Sequence, residues 1–214
     1  MARSNTASLA RSLVATYGRT LAESLGIDLA RGRPSDLFRM LCAAMLAGAP
    51  IRSSVALDAA RALTDEGWTT ARSLAGSRKS QRERVLRSAG YARWDERAAA
   101  MLGASAAAIT KWWSGDLRTV RFDAQRDAEQ ERRLLKELPG VGDVVVDIFF
   151  RDVQLIWDEL APFADRRALE VAKSLKLPAS AEGLARLVPK RDFPRLVAAL
   201  VNVDLQGVEI RKLA

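Results

Sequence analysis

The chain contains no histidine and one cysteine, Cys42, among its 214 residues. An intrachain disulfide is therefore impossible. Neither an iron–sulfur cluster nor a zinc site of the ordinary Cys/His type can be assembled from its side chains. Chemistry that needs a His base is excluded as well, which leaves Asp, Glu, Lys and Tyr for acid–base work. Glycine (13) and proline (7) are too sparse for a disordered or fibrous chain. No apolar run reaches the ~18 residues of a membrane-spanning helix. The start, Met1-Ala2-Arg3-Ser4-Asn5-Thr6, has no apolar signal core, so a cytoplasmic location with no membrane partner is expected. Alternating strand patterns and Asn-Gly hairpin turns are lacking too.

What is present is positive charge and helical periodicity. Lysine and arginine total 34 against 26 acidic residues, a net +8. Such an excess attracts polyanions. It is concentrated: Arg72, Arg78, Lys79, Arg82, Arg84, Arg87, Arg93 and Arg97 face only Glu83, Asp95 and Glu96 in the same window. That window reads equally as a solvated helix face or as a phosphate-tracking patch, with Arg78, Lys79, Arg82 and Arg87 as the candidate contacts.

Hydrophobic residues make up 49% of the chain, enough for a substantial core. They recur at helical spacing: Leu37, Leu41 and Met45; Val145, Phe149, Val153 and Ile156; Leu184, Leu187 and Val188; Leu196, Val197, Leu200 and Val201. Pro34-Ser35-Asp36, Asp165 and Asp192 with Pro194 mark helix starts. The expectation is an all-α protein of roughly ten helices joined by short loops. Residues 37–150 are expected to form one helical bundle. Residues 1–36 and 151–214 are expected to form a second lobe.

The sharpest local feature is Leu138-Pro139-Gly140-Val141-Gly142 between two apolar-faced segments. Pro139 stops the incoming helix. Gly140 and Gly142 can adopt positive φ and let another backbone approach closely. A second helix starts near Asp143, and its first N–H groups lack intrahelical acceptors. That corner suits a phosphate, aided by the helix dipole. Pro-Gly alone would fit an ordinary core corner, but the full pentapeptide between helices is more specific.

This corner resembles the helix-hairpin-helix of the endonuclease III superfamily of DNA glycosylases. The similarity extends to Phe38-Arg39-Met40-Leu41-Cys42-Ala43-Ala44-Met45-Leu46, to Ser88-Ala89-Gly90-Tyr91 with Glu96-Arg97-Ala98, and to Pro162-Phe163-Ala164-Asp165-Arg166-Arg167-Ala168-Leu169. It spans roughly residues 35–205. The resemblance implies a two-lobed helical fold, duplex DNA as partner, a nucleoid-associated location, and hydrolysis of the N-glycosidic bond of a damaged base. It implies Asp165 as the catalytic carboxylate, suited to a cationic sugar; the residue is equally suited to capping a helix. It implies phosphate contacts at Leu138, Pro139, Gly140, Val141 and Gly142. It also implies a monovalent cation on the carbonyls of Lys136, Leu138 and Val141.

Departures from the pattern are equally specific. The lysine that makes relatives bifunctional is replaced by Val144, which cannot form a Schiff base, so any glycosylase activity is expected to be monofunctional. The four-cysteine cluster is missing, so no iron–sulfur cofactor is expected. Ala47-Gly48-Ala49-Pro50 offers no glutamine wedge, and Asp143 places a negative charge beside the phosphate corner. A non-catalytic DNA-binding module of the same fold is the alternative, and a helical protein–protein scaffold a more distant one. Most of Trp68, Trp94, Trp112, Trp113 and Trp157 are expected in the core; the Trp112-Trp113 pair points to two faces of a helix, so one of the two is expected at the surface.

Overall fold

A computed structural model describes residues 2–209. Among them the regular structure is entirely helical. The α-helices in chain order are α1 (Ala2–Tyr17), α2 (Leu21–Ser24), α3 (Pro34–Ala47), α4 (Ser53–Asp65), α5 (Ala71–Ala75), α6 (Lys79–Ser88), α7 (Asp95–Trp113), α8 (Arg118–Asp123), α9 (Ala128–Lys136), α10 (Asp143–Val153), α11 (Arg166–Ser174), α12 (Ala181–Ala185) and α13 (Phe193–Leu205). No described helix is long and apolar enough to cross a membrane.

The chain divides into two compact units, one of residues 25–149 and one of residues 1–24 with 150–214. Residues 25–36, assigned to the terminal lobe from sequence, fall in the central unit. The reason is local: Ile27 and Leu29 are buried, and the Arg39 guanidinium donates to the Leu25 carbonyl, tying this stretch to α3. The second boundary falls inside α10.

In the central unit α7 is the strut. It packs against α5 and α6 and touches α3, while α3 pairs with α4. Ala99, Leu102, Gly103, Ala106 and Ile109 on one face of α7 are buried. Gly103 is required because the Arg82 side chain lies where a Cβ would stand. Arg82 is itself buried, donating Nε to the Ala99 carbonyl (2.8 Å) and Nη1 to the Ser77 carbonyl and hydroxyl. Arg82 is therefore an internal clamp across α5, α6 and α7. The expectation that it contacts DNA is corrected: Arg82 is 7% exposed, with Nε and Nη1 held by the carbonyls of Ala99 and Ser77.

In the other unit α13 is the centre, with Leu196, Val197, Leu200 and Val201 buried against α1 and α11. Asn202 on α13 donates to the carbonyls of Tyr17 (2.8 Å) and Arg19 (3.0 Å), satisfying the open C-terminal end of α1. Thr20 and Glu23 form a reciprocal cap at the start of α2. Asp152 accepts the Ala22 amide at 2.6 Å. The helix starts read from sequence hold at Pro34 and Asp165, and Pro194 sits in the first turn of α13. Ile156 lies beyond the end of α10, and Leu187 and Val188 lie beyond α12.

Asp152 is 2% exposed, and burial pushes its carboxyl up to about 6 from an ordinary 3.8, against the pull of the Ala22 amide. The folded state thus holds this proton more tightly than the unfolded chain. Its stabilising contribution is complete below pH ~4 and is lost as pH rises through about 6. Asp152→Asn, which keeps the acceptor for Ala22, should gain on the wild type by roughly 2–3 kcal/mol between pH ~4 and ~7. Urea melts across that range check this; a constant difference between the two proteins would refute it.

Candidate nucleic-acid interface

The corner at residues 138–142 is built from both sides. The Val141 amide donates to the Leu138 carbonyl at 3.0 Å, closing a turn with Pro139 and Gly140 at its centre. Gly140 has φ +81°, the Pro-Gly signature of a type II turn. Leu138 and Val141 are buried and anchor the turn, while Gly140, Gly142, Asp143 and Val144 are exposed. From below, α7 holds the turn: the Ser105 hydroxyl donates to the Pro139 carbonyl, and Met101 lies directly under Gly140. A Cβ on Gly140 would stand 2.7 Å from the Met101 Cβ and 3.3 Å from the Met45 Cε. Just past α3, a Cβ on Gly48 would stand 3.0 Å from a methyl of Val145, so α10 is seated closely against the end of α3.

Gly142 does not use the conformational freedom that Gly140 does. Its φ is not positive, and a Cβ there would meet nothing within 4 Å. The fold itself does not need a glycine at this position. The first amide to find a helical acceptor is that of Val146, which donates to the Gly142 carbonyl. Among the described residues no acceptor takes the amides of Gly142, Asp143 or Val144. Exposed, open amides at a helix start are a place for an anion.

The charges around the corner nearly cancel. Lys136 Nζ reaches both oxygens of Asp143 (2.8 and 2.9 Å), and Arg132 bridges to Asp147 (2.7 Å) and, more loosely, to Asp143 (3.6 Å). The Lys136 ammonium holds the Asp143 carboxyl below the usual range. Sequence inspection identified Asp143 as a repulsive charge but not its partner. A lysine seven positions earlier gives no helical-spacing signal, since the turn alone brings the two together.

The other candidate cations separate into classes. Lys79 pairs with Glu83 (3.0 Å) and Arg87 with Asp95 (2.7 Å), each cation remaining more than half exposed. Arg78 is exposed at the start of α6. Arg82 is internal, as described above. Of the tryptophans, Trp157 and Trp113 are buried and Trp112 is 45% exposed, as the two-face reading of the pair requires.

Asp165 lies in the unit of residues 1–24 with 150–214. Its Oδ1 accepts the Ala168 amide at 2.9 Å, capping α11. Its Oδ2 accepts from Arg151 Nε (2.7 Å) and Nη2 (2.5 Å). The side chain is 4% exposed and that of Arg151 14%. Gln154 fixes the preceding loop by bonding both the amide and the carbonyl of Phe163. Both carboxylate oxygens are therefore engaged. Arg151 was not identified from sequence, because an arginine late in an amphipathic helix has no local mark of its partner.

No family model matches the chain, and no curated protein matches it. A search of solved structures finds similarity to a trapped endonuclease III–DNA covalent intermediate in an estranged-adenine complex. The likeness covers 80% of this chain and 73% of that one, with a TM-score of 0.51 at 19% sequence identity. The chain has the endonuclease III fold.

The two glycines of the corner are expected to behave differently. Gly140→Ala forces a side chain into positive φ against Met101 and should cost roughly 2–4 kcal/mol. Gly142→Ala should leave stability within about 0.5 kcal/mol. Thermal melts of both variants check this; equal destabilisation would contradict the turn geometry.

Proposed function

We propose that this protein binds duplex DNA by seating a backbone phosphate on the amides at the start of α10. The observation that carries the reading is the row of open amides at Gly142, Asp143 and Val144, beside a glycine that the fold does not require. A phosphate oxygen approaching those amides needs the space that a side chain at 142 would take. Leu138, Pro139, Gly140 and Val141 shape the corner. Arg78, with Lys79 and Arg87 through their exposed sides, supplies auxiliary attraction. The carbonyls of Lys136, Leu138 and Val141 are the proposed seat of a monovalent cation. The Leu138 carbonyl accepts one N–H from Val141, and a carbonyl oxygen has a second lone pair to offer.

A finer reading, monofunctional base excision with Asp165 as the catalytic carboxylate, draws on the place of Asp165 at the start of α11 in this fold. Its chemistry is electrostatic: a nearby carboxylate favours the cationic sugar formed as the base departs. Arg151 opposes this, because a carboxylate already neutralised by a guanidinium offers little charge to a developing cation. The non-catalytic module is therefore the reading that the resting geometry favours. Hydrolysis would require Arg151 to swing away. With Val144 where bifunctional enzymes carry lysine, no covalent amine–sugar adduct is expected.

Binding to a labelled duplex should weaken steeply as salt rises. Gly142→Ala should weaken it by about tenfold, equivalent to one charge-assisted hydrogen bond. Asp143→Asn should strengthen it by about threefold at low salt, because a like charge is removed and Lys136 is released. Unchanged affinity in Gly142→Ala would remove the corner from the interface.

For the chemistry, a panel of lesion-bearing duplexes developed with hot alkali separates the two readings. We expect no cleavage by wild type, with binding retained. Cleavage that disappears in Asp165→Asn would establish the enzyme instead. That variant keeps the cap but leaves Arg151 without its partner, at roughly 3 kcal/mol, so each assay needs a melt beside it.

A further inference from the structure

The chain passes between its two compact units twice, after Ser24 and, inside α10, after Phe149. A buried hydrogen bond joins the residues beside these passages. Asp152 Oδ2, in the last turn of α10, accepts the amide of Ala22 at 2.6 Å, and Ala22 belongs to the four-residue helix α2 just before the first passage. Both partners lie in the unit of residues 1–24 with 150–214. The Asp152 side chain is 2% exposed, so water is nearly excluded from it. Its other hydrogen-bonding neighbour is the Thr20 hydroxyl, which is buried as well. The charged groups facing it are Arg151 on its own helix and Glu23 on α2. Glu23 in turn meets Arg195 of α13 at 3.4 Å, and Arg151 is already held by Asp165 through two N–H groups.

A carboxyl in this setting is a poor anion. Ionised, it needs water or a full counter-charge, and the site supplies neither. Burial outweighs the pull of the amide, the hydroxyl and Arg151, and the group titrates at about 6. Charge on it is relieved by admitting water, and the segment covering it is the part held least firmly. Within α2 only Ala22 is buried. By contrast Phe150 and Val153 on α10, and Leu196, Val197 and Leu200 on α13, are all at most 2% exposed. The remaining ties of the segment are partly open to solvent: Asn202 donates to the Tyr17 and Arg19 carbonyls, and Arg195 to the Gly18 carbonyl (3.4 Å). Little apolar burial and solvent-accessible hydrogen bonds mark a segment that opens locally. We propose that Asp152 is a proton-operated latch on residues 18–24: neutral, it keeps the segment docked, and ionised, it releases the segment to water while α10 and α13 stay folded. In the open state Asp152 is solvated and has an ordinary carboxyl affinity for its proton. Opening therefore sheds a proton and grows as pH rises. The latch is independent of the DNA-binding reading.

The test is amide hydrogen exchange, with rates corrected for their intrinsic rise with pH, in the presence and absence of urea well below the unfolding transition. The probes are the amides of Ala22 and Ser24, which donate to Asp152 and to the Thr20 carbonyl, with core amides of α13 for comparison. Exchange by local opening is indifferent to dilute urea, whereas exchange by global unfolding accelerates with it. In wild type, protection at Ala22 and Ser24 should fall about tenfold from pH ~5 to pH ~8 and ignore urea. The α13 amides should respond to urea. Asp152→Asn, which keeps an acceptor for Ala22, should show the same protection at both pH values.

A flat pH profile at Ala22 and Ser24 in wild type would overturn the latch. Exchange there that accelerates with urea as steeply as in α13 would overturn it too, since the proton would then act only on the whole fold. A fall that persists in Asp152→Asn would assign the response to another group and refute the proposal. Should the variant fold poorly, the wild-type comparison of pH and urea decides alone.

Discussion

The close approach of α7 to the turn at Leu138–Val141 is the constraint on which the candidate interface depends. Ser105 holds the Pro139 carbonyl, and Met101 occupies the space beneath Gly140. Because Gly140 has no side chain, α7 comes near enough to fix the turn from below, and the turn in turn sets the direction in which α10 begins. The open amides at Gly142–Val144 are aimed by that direction. The same helix is fastened on another face by Gly103, which lets Arg82 reach the carbonyls of Ala99 and Ser77. Two glycines, one on each partner of the contact, make room for a methionine and an arginine respectively. The corner is thus anchored to a helix that itself packs against α3, α5 and α6, rather than carried on a free loop.

Electrostatics at the corner follow a different logic from the net charge of the chain. The +8 total suggests broad attraction to polyanions. Locally, Lys136 and Arg132 are committed to Asp143 and Asp147. The immediate field is therefore that of the backbone N–H groups and the helix start, with the ion pairs nearly neutral. An amide-based site binds an anion by directional hydrogen bonds, and its worth depends on geometry more than on long-range attraction. In the proposed complex with DNA, exposed arginines elsewhere on the unit would contribute to encounter and to salt sensitivity, and the corner would contribute register.

The sequence made some of this legible and hid the rest for identifiable reasons. The helical class, the turn and the cap at Asp165 were readable because each is a local pattern: apolar spacing, Pro-Gly, and an aspartate before an amphipathic run. The assignment of Arg82 to a DNA-facing patch failed because burial of a long cationic side chain depends on a distant glycine, Gly103, and on carbonyls that no spacing reveals. The two corner glycines look alike in sequence, yet one is demanded by φ and by Met101 while the other stands in open space. The Arg151–Asp165 pair is a product of tertiary packing. Its two members lie on different elements, and a linear pattern carries no record of their meeting.

The Arg151–Asp165 pair bears most directly on whether this fold performs chemistry here. A capping aspartate needs one oxygen for the helix amides, which leaves the second free for other work. In this protein that second oxygen accepts two N–H groups from a guanidinium that is itself nearly buried. Breaking such a pair exposes two charges to a poorly solvating environment, at a cost of several kcal/mol. A catalytic carboxylate gains its effect by being prearranged and uncompensated at the moment charge develops on the substrate. Prearrangement is present, since Gln154 and the cap hold the residue rigidly, but compensation is present as well. The ion pair with Arg151 and the proposed catalytic role would therefore draw on the same oxygen, Oδ2, while the cap occupies Oδ1.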